Sequence, residues 1–236
     1  MQEVDNKQLS SNLVERCDLL ALLAGTMGFA LRFGDFTHFL STGTALFLLG
    51  ILYVVVCSLF IFGGYALGHR LTGVPWSELF PLKRCGAAKR LAGIIGVAFL
   101  LLVLVTVVNY VIVYGNPEAG TQYLVQYLQE ADWLLRLRLL VETCVFAPIC
   151  EEFFFRLALP RWLTACGVSE NLADLSASLA FSCLHLVWWG IPGLFLFGIS
   201  LCLLRRRQDI LSCCCVHALY NLLVAVVAIS CIKIVG

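Results

Sequence analysis

The chain has 236 residues, a formal net charge of +1, 13% charged and 61% hydrophobic residues, and a mean hydropathy of +0.92. A soluble domain normally carries about a quarter charged residues, so this composition excludes an ordinary water-exposed globule. The net charge says nothing about nucleic acid, and with no basic stripe to suggest such a surface no nucleic-acid partner is expected.

The first residues, MQEVDNKQLSSN, include acidic side chains and no basic stretch leading into a cleavable apolar segment, so no secretory signal peptide is expected. Neither end shows a lipidation motif. Apolar runs then follow at Leu19–Leu31, Thr44–Leu67, Leu91–Tyr114, Leu134–Leu159, Ala173–Trp189, Pro192–Leu204 and Ile210–Val235. Several reach the roughly 20 residues that cross a bilayer as a helix. The fold class is therefore all-α, a polytopic transmembrane bundle of about seven segments, in a range of roughly six to eight. The first run is short and reads as a tilted or re-entrant helix. No fixed-period repeat and no low-complexity stretch appears.

Short loops give the orientation. The loop from His69 to Arg90 holds Arg70, Lys83, Arg84, Lys89 and Arg90, so it faces the cytoplasm. The next loop carries Glu118, Glu130 and Asp132 and faces outward, and alternation returns Arg161 and Arg205, Arg206 and Arg207 to the inside. Within the cytoplasmic loop, GVPWSELFP at 73–81 reads as an interfacial turn or short amphipathic helix anchored by Trp76 and Phe80. The expected location is a multi-pass integral protein of a bacterial inner membrane.

The 12 cysteines include no CxxC pair and mostly lie in apolar runs, where cysteine packs as a small hydrophobe. Cys213, Cys214 and Cys215 stand beside His217, but consecutive helical positions point about 100° apart and cannot share one ion.

Ionisable residues within membrane segments are costly and mark function. Those that stand out well inside their segments are Glu151, Glu152, Arg156, His185 and His217, joined by Asn221. Glu152 and Arg156 are four apart and share a helix face, which leaves Glu151 as the carboxylate without an in-helix partner. His217 and Asn221 also share a face, and Phe181 stands one turn before His185. At 1.5 Å per residue, Glu151, His185, His217 and Asn221 fall at depths of about 10 to 18 Å, close enough to line one cavity open to the cytoplasm.

The pattern Glu-Glu-x-x-x-Arg, Phe-x-x-x-His and His-x-x-x-Asn, in this order on successive segments, resembles the CPBP (Abi) family of intramembrane proteases. That family includes the type II CAAX prenyl endopeptidases and bacteriocin-processing or immunity proteins. The resemblance covers about residues 142–225 and divides the chain into an N-terminal part, 1–133, for scaffold or substrate, and a catalytic helical core, 134–236. It implies an endopeptidase that hydrolyses peptide bonds of a membrane-associated or lipidated protein. Glu151 would activate water with help from His185, while His217 and Asn221 would stabilise the oxyanion. Glu152 and Arg156 would fix the geometry of their helix, with Phe181 in support. The implied partners are the bilayer and a protein or peptide substrate, either prenylated or a leader peptide. Glu151, His185 and His217 also suit one divalent metal such as zinc, and a metal-free mechanism suits them equally. The alternative from another class is a non-catalytic immunity or regulatory protein on the same scaffold.

Overall fold

The computed structural model describes residues 12–26, 59–83, 86–115, 132–185 and 187–235. Among these, every regular element is helical. Residues 12–26 form α1 and residues 59–72 form α2. The remainder of the two N-terminal segments expected at 19–31 and 44–67 lies outside the described residues. A turn through Gly73, with φ of +72°, leads to the short α3, Trp76–Leu79, where the interfacial helix was expected. The long α4 spans Ala87–Tyr114.

The next element departs from simple α-helix at two places. From Trp133 to Ala165 the chain runs as one rod, α5, built of α-helix at Trp133–Val141, Ala147–Glu152 and Leu159–Ala165. These pieces are joined by π-turns at Glu142–Phe146 and Phe153–Ala158. A single residue separates the end of each π-turn from a proline. The N–H of Ala147 bonds the Glu142 carbonyl, and that of Leu159 bonds the Phe154 carbonyl, both five residues back. Pro148 and Pro160 follow with no N–H to carry the four-residue ladder. The chain meets each proline in the wider register, as inserted turns of this kind do.

Helix α6, Glu170–Cys183, is shorter than the segment expected at 173–189. His185 therefore sits in the turn after α6 rather than inside a helix. The chain reverses there, passes a single 3-10 turn at Trp188–Gly190, and enters α7, Ile191–Arg207, with Pro192 in the first helical turn. Proline favours that position because its missing N–H would have no partner anyway. The His185 Nδ1 lies 2.8 Å from the Phe181 carbonyl, so the ring serves one of the orphan carbonyls at the end of α6. Helix α8, Ile210–Val235, completes the chain.

Ala87–Ile112, Trp188–Arg207 and Ile210–Ser230 are long and apolar enough to cross a membrane. Helices α6 and α7 pack as an antiparallel hairpin, and α8 lies against α4, α7 and α5. Helix α1 crosses α2 at Gly64 and Gly68, where an added Cβ would come within 2.7 Å of the Ala21 Cα and the Cys17 Sγ. Small residues four apart let two helices approach this closely where water supplies no driving force.

Lys83, Arg90, Arg161, Arg205 and Arg206 gather at one end of the described helices. Arg90 pairs with Asp209 at 2.7 Å, Arg161 pairs with Asp18, and Arg205 and Arg206 clasp Asp174 at 3.1 and 2.7 Å. Lys83 reaches the Arg206 carbonyl. These contacts tie the middle of α1 to the ends of α4, α5, α6, α7 and α8 in one belt. None of the buried acids in it was singled out from the sequence, because each lies at a segment end where an acid is unremarkable.

Candidate active site

About ten residues inward from Arg161, roughly 15 Å along α5, Glu151 and Glu152 stand between the two π-turns and are both buried. The expected pairing of Glu152 with Arg156 is present: Arg156 Nε lies 3.4 Å from Glu152 Oε2, and both side chains are fully buried. At that distance the contact is a charge pair rather than an aligned hydrogen bond. Glu152 has a second partner that the four-residue rule cannot reveal. Its Oε1 lies 2.8 Å from His217 Nδ1, on α8. A carboxylate only accepts, so the Nδ1–H donates. The other ring nitrogen, Nε2, faces Glu151 Oε2 at 3.8 Å, outside hydrogen-bond range.

Phe181, on α6, joins the remaining pieces. Its ring centroid lies 4.6 Å from that of His185 and 6.0 Å from that of His217, edge-on to both. The Arg156 guanidinium sits 4.2 Å above the same ring, a cation–π contact. Phe197 of α7 closes the far side of His217 at 4.9 Å. Asn221 lies one turn along α8 from His217, with its Nδ2 donating to the Thr143 carbonyl at 2.7 Å.

The structure thus brings Glu151, Glu152, Arg156, Phe181 and His217 into one buried cluster. It places exposed His185 against the Phe181 ring and engages Asn221 with the first π-turn. Sequence reasoning missed Thr143 and Phe197: one acts through its backbone, and the other is one apolar residue among many. Pro148 signals an orphan carbonyl, but at Cys144 in a regular helix; only the π-turn moves it to Thr143.

A metal needs lone pairs aimed at one point. Nδ1 of His217 lies on Glu152 and Nδ1 of His185 on the Phe181 carbonyl, which leaves Nε2 of each ring as the nitrogen with a lone pair to offer. Among the described residues, no three His, Cys, Asp or Glu side chains are grouped to hold an ion. A cavity of about 400 Å³ opens within the charged belt, lined by Lys83, Leu157, Arg161, Arg205, Arg206 and Asp209 among others. None of Glu151, Glu152, His185 and His217 lines it.

Residues 132–223 match the family model for Type II CAAX prenyl endopeptidase Rce1-like proteins. The matched stretch begins at Asp132, which caps α5 by accepting from the Leu135 N–H at 2.8 Å, and ends two residues beyond Asn221. The matched stretch therefore holds all three motifs, and the matched description agrees with the type II CAAX prenyl endopeptidases among the proteins that the motifs resemble. No curated protein and no solved structure matches the chain.

Proposed function

We propose that this chain is an intramembrane endopeptidase that hydrolyses a peptide bond of a membrane-associated or lipidated protein, using water activated by Glu151. The observation that carries the reading is the buried group formed by Glu151, His217 and Glu152, with His217 2.8 Å from one carboxylate and 3.8 Å from the other. Two acids and an imidazole are expensive to bury together in an apolar helical bundle, and groups of this kind commonly serve chemistry.

In the proposed reaction, Glu151 takes a proton from water while the water oxygen bonds to the scissile carbonyl carbon. His185 assists in holding that water. The carbonyl oxygen becomes an oxyanion and accepts hydrogen bonds from His217 and Asn221. Collapse of the intermediate breaks the C–N bond, and Glu151 returns its proton to the departing amine. For His217 to donate through Nε2 while Nδ1–H remains on Glu152, the ring must act as imidazolium. Glu152 is its counter-charge, and Arg156 balances Glu152 in turn.

The test is Glu151→Gln in proteoliposomes, with a prenylated CAAX reporter and a leader peptide as alternative substrates. Loss of the base should lower kcat by at least about 100-fold. Cleavage of either substrate at the wild-type rate by the Gln variant would remove Glu151 from this role.

A further inference from the structure

The donor missing at Thr143 explains why Asn221 points where it does. In an α-helical register the Thr143 carbonyl would accept from the N–H of Ala147, but that N–H bonds the Glu142 carbonyl. In the π register the donor falls to residue 148, which is proline. The carbonyl is thereby left open on the face toward α8, and a polar group in an apolar setting needs a partner. Asn221 Nδ2 supplies it at 2.7 Å. The same hydrogen bond fixes the plane of the amide and settles which atom is nitrogen, because only the NH2 end can donate to a carbonyl.

We infer that Pro148 is a positioning residue: by stripping the Thr143 carbonyl of its main-chain donor, it holds one N–H of Asn221 and sets the direction of the other. This rests on the reading of Asn221 as an oxyanion donor. It adds a reason why the helix that carries Glu151 is broken five residues before it by a π-turn. That turn and Asn221 form one clasp between α5 and α8. A donor free to rotate would spend part of its time misdirected, and loss of orientation is costly in catalysis.

The experiment compares Pro148→Ala, Asn221→Ala and the double variant with the full-length protein in identical bilayers. Alanine in place of the proline restores an N–H for the Thr143 carbonyl. Pro148→Ala should lower kcat about tenfold with KM unchanged, and the double variant should be no slower than Asn221→Ala alone. Thermal unfolding reads the clasp independently of activity. Asn221→Ala should lower Tm in the wild-type background and clearly less in the Pro148→Ala background. Asn221→Asp, which leaves the proline alone but has no N–H to give, should lower Tm at least as much as Asn221→Ala.

Wild-type kcat in Pro148→Ala, multiplying effects in the double variant, or equal Tm losses in both backgrounds would overturn the inference. Unchanged Tm in Asn221→Asp would do the same. Wild-type kcat in Asn221→Ala alone would instead discard the oxyanion reading, and the Tm comparison would still decide whether the clasp exists.

Discussion

His217 Nδ1 and Glu152 Oε1 are 2.8 Å apart, on helices that enter the bundle separately, with the glutamate fully buried and the histidine nearly so. The bond makes Glu152 the junction of two interactions, one to Arg156 within α5 and one across to α8. It also determines which nitrogen of His217 faces Glu151.

Cutting that junction should cost stability as well as activity. Glu152→Gln leaves the Arg156 guanidinium buried beside a neutral amide, and breaking a buried pair from one side costs about 3–5 kcal/mol. The expected outcome is a large fall in Tm in detergent. Adding Arg156→Met, which removes the stranded charge and keeps the volume, should recover a substantial part of it. Additive losses in the double variant would show that the two side chains are not coupled.

Phe181 offers a separation of packing from ring chemistry. Its ring is 1% exposed and contacts His185, His217 and Arg156. Phe181→Ala should cost about 3–5 kcal/mol through the cavity it leaves. Phe181→Leu should cost less, about 1–2 kcal/mol, since most of the volume remains. Both variants lose the aromatic surface against the two imidazoles, so peptide cleavage by the Leu variant should fall more steeply than its stability. A Leu variant with wild-type turnover would reduce Phe181 to filler.

Much of this was legible in the sequence, for identifiable reasons. The all-helical class follows from apolar length alone, and the Glu152–Arg156 pair follows from a spacing of four. The three-motif order resembled the family that residues 132–223 match. What could not be read depends on contacts between helices distant in sequence. Glu152 and His217 are 65 residues apart, and Asn221 and Thr143 are 78 apart. Hydropathy also carried α6 past its true end, because Leu184 to Trp189 is as apolar in a turn as in a helix. The belt acids Asp18, Asp174 and Asp209 look like ordinary segment-end residues until their arginines are seen.

Gly64 and Gly63 form a matched pair of probes for the α1–α2 crossing. A Cβ on Gly64 would meet the Ala21 Cα at 2.7 Å and the Leu20 carbonyl at 2.8 Å, whereas one on Gly63 meets nothing within 4 Å. Gly64→Ala should force the two backbones apart and cost about 1–3 kcal/mol. Gly63→Ala should be neutral or slightly stabilising, because alanine is the better helix former. Equal Tm values for the two variants would mean that this contact does not hold the N-terminal helices.

Asp209 performs two tasks that graded substitutions can divide. Its Oδ1 accepts from the Ser212 N–H at 2.9 Å, which caps α8, and from the Ser212 hydroxyl at 2.9 Å. Its Oδ2 pairs with Arg90 at 2.7 Å, with the carboxylate fully buried and the arginine about a quarter exposed. The cap is worth about 1 kcal/mol. The ion pair is worth somewhat more than an exposed pair, because one partner is out of water, though Arg90 retains part of its hydration. Asp209→Asn keeps an acceptor for the cap and loses the charge; Asp209→Ala loses both. Stability should therefore fall in the order wild type, Asn, Ala, with the Asn–Ala step close to the value of the cap. Raising salt should narrow the gap between wild type and Asn while leaving the Asn–Ala gap unchanged, since screening acts on the charge pair and not on a neutral cap. Salt sensitivity in the second gap would assign the whole effect of Asp209 to its charge.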